Sequence, residues 1–380
     1  MTKASDMMEV LQTAYQHYKD GDLDRAEVGY KDVLRQDPGN VHGLNLMGML
    51  MIDRGRPVDA VELIKLALKH APHDPQSHGN LGLALKDLGR FEEAAGHFRE
   101  SLKTNPKNPV MLNNLGNALR ESGVPVDAIK CFEDALRLDR GYAACWSNLA
   151  AAQRDAGNFS RAMQALDRAM ELAPGLAQAH HIRGTVFAKL ARFEDAVSCY
   201  DRSLELRPDT CEVLIAKSDM LREMDLPMEA ESVLQQVLQI EPQNAFALHA
   251  LGVLAEQVGD RNLAADYFKR SIEQAPAYTS AYYQLAQLKG RRVTETELQD
   301  MEQLWQTNTL ATEARKLLAF ALFRAWDQRA VSEKAWHYLA EGNRIKASAS
   351  PYDAQYTRRL TDGIIAGGRR LAATDVASMA

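Results

Sequence analysis

Residues 89–123 read GRFEEAAGHFRESLKTNPKNPVMLNNLGNALRESG, and this stretch decides the fold. Small and apolar residues recur three and four apart on both sides of Asn105-Pro106, first as Ala94, Phe98 and Ser101, then as Leu112, Leu115 and Leu119. That spacing lines one face of an α-helix, so the stretch is two helices. Pro106 stops the first, because proline has no N–H to give and clashes with the preceding turn. Gly123 suits the left-handed residue that ends the second.

The same stretch returns every 34 residues. Pro38, Pro72, Pro174, Pro208, Pro242 and Pro276 share the rung of Pro106, and Arg140 fills the one rung without proline. Twelve residues earlier stands alanine in all eight units: Ala26, Ala60, Ala94, Ala128, Ala162, Ala196, Ala230 and Ala264. Seventeen earlier stands Gly21, Gly55, Gly89, Gly123, Gly157 or Gly259, with Ala191 and Asp225 in the other two units. A period kept without insertion from residue 7 to 278 marks eight helical hairpins, each burying its apolar face against its neighbours.

Numbered from Met7, position 8 of each unit is small (Gly48, Gly82, Gly116, Gly184 and Gly252, otherwise Ala or Ser), while position 24 is large, as in Tyr30, Ile64, Phe98, Phe132 and Tyr200. Alternating small and large residues let the knobs of one helix enter gaps in the next. Leucine at Ala128 or Ala162 is expected to overpack that contact, at about 1–3 kcal/mol. These columns resemble the tetratricopeptide repeat (TPR), with small residues at positions 8, 20 and 27 and proline at 32. Departures fall at Arg140 and at position 11, where Met51, Leu85, Leu119 or Gln153 replaces an aromatic residue. The resemblance implies an all-α, right-handed superhelical solenoid whose first helices line a concave groove and whose second helices face outward.

Beyond Pro276 the register decays. Residues 281–292 still follow a first helix, but Leu298 takes the alanine column. Helices are expected near 295–306, opened by a Thr294–Glu297 capping box, near 312–326 and 330–346, and over 352–366. Residues 279–366 then form a degenerate TPR-like helical C-terminal cap, 1–6 a polar lead and 367–380 a flexible tail. Trp305, Trp326 and Trp336 are expected in the core of the cap. The region is also similar to the connector of bacterial TPR-linked sulfotransferases, in LLAFALFRA (317–325), LAEGNRIK (339–346), Tyr352-Asp353 and residues 358–366. That similarity implies a substrate-recruiting region without its catalytic domain, since the chain runs on as Gly367-Gly368-Arg369-Arg370-Leu371 where those enzymes carry a phosphosulfate loop.

Composition narrows the function. With 46% apolar and 25% charged residues the chain has material for a core. A net charge of −6, without a basic block, argues against nucleic acid. No apolar run approaches the roughly 18 residues of a membrane span, and no secretory signal is read at the N-terminus. Four cysteines without a CxxC pair suit a reducing compartment, so the expected location is cytoplasmic.

Candidate binding residues are polar side chains on first helices. Asn80, Asn114 and Asn148 share position 6, and Asn45, Asn113 and Asn117 lie on the same face. An amide both donates and accepts, so it can pair with one peptide group of a ligand, or it can bridge neighbouring helices. The arrangement resembles the asparagine ladder in the TPR groove of O-linked N-acetylglucosamine transferase. Lys86, Arg120 and Arg154 share position 12, each followed by an acid. They suit either a ligand carboxylate or ion pairs between helices. No position-5 lysine is present, so a chaperone-type carboxylate clamp is not expected. His180-His181 and the trio His70, His73 and His78 lack metal-ligand spacing, and no nucleophile elbow or phosphate loop exists. The sequence thus predicts a non-catalytic protein–protein interaction scaffold without cofactor or metal, holding an extended peptide or partner protein. The alternative is a sulfotransferase recruiting region, with self-association a third expectation.

Overall fold

In a computed structural model, residues 3–307 and 309–349 are described, the side chains of 3–6 and 349 aside. The expected helix over 352–366, the tail 367–380 and the connector residues beyond 351 lie outside the described residues. The described residues form helices and no strands, in two compact units, Met1–Met220 and Leu221–Ala380. No described helix is long and apolar enough to cross a membrane.

In the first unit six hairpins follow one another. They are α1 (Lys3–Lys19) with α2 (Leu23–Gln36), α3 (Val41–Asp53) with α4 (Pro57–His70), and α5 (Pro75–Asp87) with α6 (Phe91–Thr104). Then come α7 (Pro109–Glu121) with α8 (Pro125–Leu138), α9 (Ala143–Asp155) with α10 (Phe159–Leu172), and α11 (Ala177–Lys189) with α12 (Phe193–Leu206). The division between units falls within α13 (Cys211–Glu223). From α3 to α12, first helices have 13 residues and second helices 14.

The glycine column ends first helices as expected, at φ of +69° to +95°, while Ala191 and Asp225 adopt the same left-handed turn at +55° and +59°. The proline column acts one residue later than a simple helix stop. The residue before each rung is extended, as Ala71 at φ −135°, ψ 81° and Asn105 at −130°, 79°, the backbone that proline imposes on its predecessor. At the Arg140 rung the predecessor Asp139 has φ −138° and ψ 96°, so the stack keeps the same turn without proline. The rung's carbonyl is held from the next first helix: His78 Nε2 donates to Pro72 O at 2.9 Å, Trp146 Nε1 to Arg140 O at 3.0 Å, and His180 Nε2 to Pro174 O at 3.3 Å.

The eight alanines of the column are all 0% exposed. Position 8 is small because position 24 lies on it: a Cβ at Gly82 would stand 2.5 Å from Phe98, at Gly116 2.6 Å from Phe132, and at Gly184 2.5 Å from Tyr200. Such distances are well inside van der Waals contact, so only hydrogen fits there.

The second unit contains α14 (Pro227–Ile240), α15 (Ala245–Val258) packed on α16 (Arg261–Gln274), the short α17 (Thr279–Gln287), α18 (Glu295–Gln306), α19 (Thr312–Asp327) and α20 (Ser332–Ala349). Thr294 and Glu297 form the expected capping box at α18. Leu298, Met301, Leu318 and Leu322 build a small core. Gln328 and Arg329 reach back to the carbonyls of Arg291 and Val293 at 3.3 and 3.0 Å and close the turn before α18. Trp305 and Trp326 pack beside this core, but Trp336 is 71% exposed, against the expectation of a core residue. It lies on the side of α20 opposite Ile345, which is buried.

Candidate functional site

In residues 1–220 successive first helices touch one another directly, α1 on α3, α3 on α5, α5 on α7, α7 on α9 and α9 on α11. The layer of first helices is therefore the close-packed one, and its outward surface is the candidate groove.

The asparagines divide into two sets. Asn45, Asn80, Asn113 and Asn148 are buried between first helices. Asn45 Nδ2 donates to Ser77 Oγ at 2.7 Å and reaches Asp74 Oδ2 at 3.4 Å, tying α3 to the N-cap of α5. Asn80 Nδ2 donates to Asn45 Oδ1 at 3.3 Å. Farther along, Gln178 Nε2 donates to Asn148 Oδ1 at 3.3 Å and Asn148 Nδ2 to Asn113 Oδ1 at 2.9 Å, so α7, α9 and α11 share one amide chain. Asn114 and Asn117 are half-buried and stand outside that chain. An amide offers four hydrogen-bond sites, so Asn148 keeps one donor and one acceptor site beyond this chain.

The position-12 bases make ion pairs. Lys86 lies 3.5 Å from Asp87. Arg120 pairs with Glu121 and, at 3.3 Å, with Asp155 on the next first helix. Arg154 pairs with Asp155 at 2.7 Å and donates to Thr185 Oγ1 at 2.7 Å. These groups are partly exposed, where each pair is worth about 0–1 kcal/mol.

Two cavities open on this surface. One, of about 340 Å³, lies at the α1 end among Met8, Leu11, Tyr15, Tyr18, Leu46 and Met49, rimmed by Gln12, His42, Gln76 and Asn80. The other, of about 380 Å³, is polar and is bounded by Arg120, Arg154, Gln178, His181, Arg207 and Glu212. Burial lowers the pKa of His181, the nearby Arg154 adds to the effect and Glu212 opposes it; the imidazole is neutral at pH 7. Sequence columns of polar residues missed the apolar cavity altogether. Its signal was positions 2, 9 and 12 of the first two units, where Met8, Tyr15, Tyr18, His42 and Met49 stand. Among the described residues no group of three or more His, Cys, Asp or Glu side chains is disposed to hold a metal ion.

Family models described as tetratricopeptide repeat match residues 17–81, 75–108, 109–175, 177–210 and 247–278. No curated protein matches the sequence. Among solved structures, a tetratricopeptide repeat protein from Parabacteroides merdae aligns at 17% identity and TM-score 0.54, over 64% of this chain and 97% of that one. The human IFIT1 dimer with m7Gppp-AAAA aligns at 16% identity and TM-score 0.58, over 88% and 80%. A chain of the APC/C hetero-tetramer Cut9-Hcn1 gives 16% identity and TM-score 0.55, over 70% and 52%. At such identities these likenesses concern the fold alone. With the 34-residue hairpins, the left-handed ends of the first helices and family matches over more than half its length, the chain belongs to the tetratricopeptide repeat family.

Proposed function

We propose that this chain is a non-catalytic scaffold that holds an extended segment of a partner protein along its first helices, with Asn80, Asn114 and Asn148 gripping the partner's backbone. The observation that carries the reading is the amide chain of Gln178, Asn148 and Asn113, which fixes side-chain orientation while leaving hydrogen-bond sites over. First helices about 8–10 Å apart match every third residue of a strand that rises roughly 3.3 Å per residue. Asn45 and Asn113 brace Asn80 and Asn148 from within the helix contacts, Asn117 extends the polar floor, and Lys86, Arg120 and Arg154 edge it. The free thiols of Cys131, Cys145 and Cys199 suit a reducing compartment such as the cytoplasm.

The test is peptide binding by a triple variant, Asn80→Ala with Asn114→Ala and Asn148→Ala. Loss of affinity with helicity retained supports the groove; unchanged affinity removes it. Self-association is checked by light scattering across concentration.

A second reading makes the array the recruiting region of a sulfotransferase. It is favoured by the connector-like residues 317–325 and 339–346, which lie on α19 and α20, two helices packed as a hairpin. A coding sequence that continues from Ala380 into a phosphosulfate loop supports it, and a stop codon there removes it.

A further inference from the structure

Resting on the groove reading, we infer that residues 1–220 recognise a peptide with two anchors: a bulky apolar side chain seated among Met8, Tyr15, Leu46 and Met49, and an acidic side chain set against Arg154 and Arg207.

The apolar anchor site is built from adaptable and aromatic groups. The Tyr15 and Tyr18 rings stack with centroids 6.0 Å apart, and Met8 and Met49 supply flexible thioether chains that mould to different apolar side chains. Met8 and Tyr15 are exposed. Amides of Gln12, Gln76 and Asn80 stand at the rim, where a peptide backbone entering the cavity needs partners.

The cationic anchor site is set by what its acids already hold. Asp155 lies between Arg120 and Arg154 and pairs with both; Glu121 pairs with Arg120. The second arm of Arg154 is fixed on Thr185. These contacts orient the guanidinium groups before any ligand arrives, which lowers the entropic cost of binding. Arg207 makes no ion pair among the described residues and is exposed. Glu212, also exposed, is the remaining acid on the cavity wall, and neutral His181 adds no charge. An incoming carboxylate therefore meets Arg207 and Arg154 and is opposed by Glu212.

The two sites lie on one surface, centred on α3 and on α9 to α11, three to four repeats apart. At about 8–10 Å per repeat and roughly 3.3 Å per extended residue, about 7–12 peptide residues separate the anchors. Asn80, Asn114, Asn117 and Asn148 occupy the floor between them.

The experiment uses the full chain and labelled Gly/Ser-rich peptides carrying one Phe and one Glu at increasing separation, in both orders, read by fluorescence anisotropy. Affinity is expected to peak at a separation of about 7–12 residues. Arg207→Glu weakens the best peptide about tenfold, Glu212→Gln strengthens it, and a peptide with Gln for Glu is indifferent to both. Tyr15→Ala abolishes the preference for Phe over Ala in the peptide. Tyr15 and Arg207 are exposed, and circular dichroism verifies that each variant folds. Binding that ignores separation, or that Arg207→Glu leaves unchanged, overturns the two-anchor proposal. If such binding is still lost in the asparagine triple variant, the groove reading stands without it. If no peptide of the set binds, both fall.

Discussion

Asn148 donates its side-chain amide to Oδ1 of Asn113 across 2.9 Å, tying the first helices of the fourth and fifth repeats at a buried point of their contact. The bond is one link of a chain, because Asn148 also accepts from Gln178. Removing the middle member strands an acceptor on one side and a donor on the other. Asn148→Ala is expected to cost about 1–3 kcal/mol, the penalty for the buried Oδ1 of Asn113 left unpaired, since the exposed Gln178 can turn to water. Urea denaturation measures it, and a cycle with Asn113→Ala tests the coupling. Additive effects of the two substitutions would show that the bond carries no stability.

The contact between positions 8 and 24 makes a prediction with an internal control. Gly116→Ala places a methyl on the Phe132 ring and is expected to destabilise by about 1–3 kcal/mol. The next repeat already carries Ala150 with Leu166, both fully buried. The double variant Gly116→Ala, Phe132→Leu is therefore expected to regain much of the loss. Thermal unfolding of the single and double variants decides it.

Arg140→Pro is expected to stabilise. Asp139 already has the extended backbone that a following proline requires, and the bond from Trp146 reaches the carbonyl of residue 140, which proline retains. The gain comes from restricting the unfolded chain and is about 0.4–1 kcal/mol. A lowered denaturation midpoint would show that the turn differs from its neighbours.

His249 gives the second unit a pH dependence. Burial, reinforced by nearby Arg222, lowers its pKa to about 4, against an unfolded value of about 6.5. The folded chain thus holds the neutral ring more strongly than the unfolded chain does. The stability is fully present above about pH 6.5 and is lost as pH falls from there toward about 4. His249→Phe, which keeps a flat ring beside Phe268, is expected to flatten that part of the stability–pH curve. Unfolding midpoints measured across this window check it, and an unchanged slope assigns the dependence to other groups.

The hairpins were legible because each column answers a local steric demand repeated eight times. Gly123 is left-handed, Pro106 follows an extended residue, and Ala128 leaves room for a neighbouring helix. The candidate site was legible only in residue type. Position 6 put Asn80 and Asn148 on first helices, but their partners, Asn45 and Asn113, lie 35 residues away, one residue out of the column being read. Asp155 follows Arg154 in the sequence and also pairs with Arg120 on the preceding first helix, the inter-helix pairing the position-12 column suggested, so one acid serves both bases. The apolar cavity escaped because Met8, Tyr15 and Met49 look like core residues in the sequence, whereas they line a cavity in which Met8 and Tyr15 are exposed. Trp336 was misplaced for the same reason: apolar character does not say which face of α20 has a neighbour.

The eight fully buried alanines have a consequence for how this chain tolerates change. Each is fully buried, so any larger side chain must displace the groups packed around it, whereas the residues one and two places away are often free to vary. A survey of every single substitution would therefore record a wave, with intolerance peaking each 34 residues from Ala26 to Ala264. The wave would fade after residue 278, where Leu298 fills the place an alanine held before. Its phase would locate every repeat without reference to any structure.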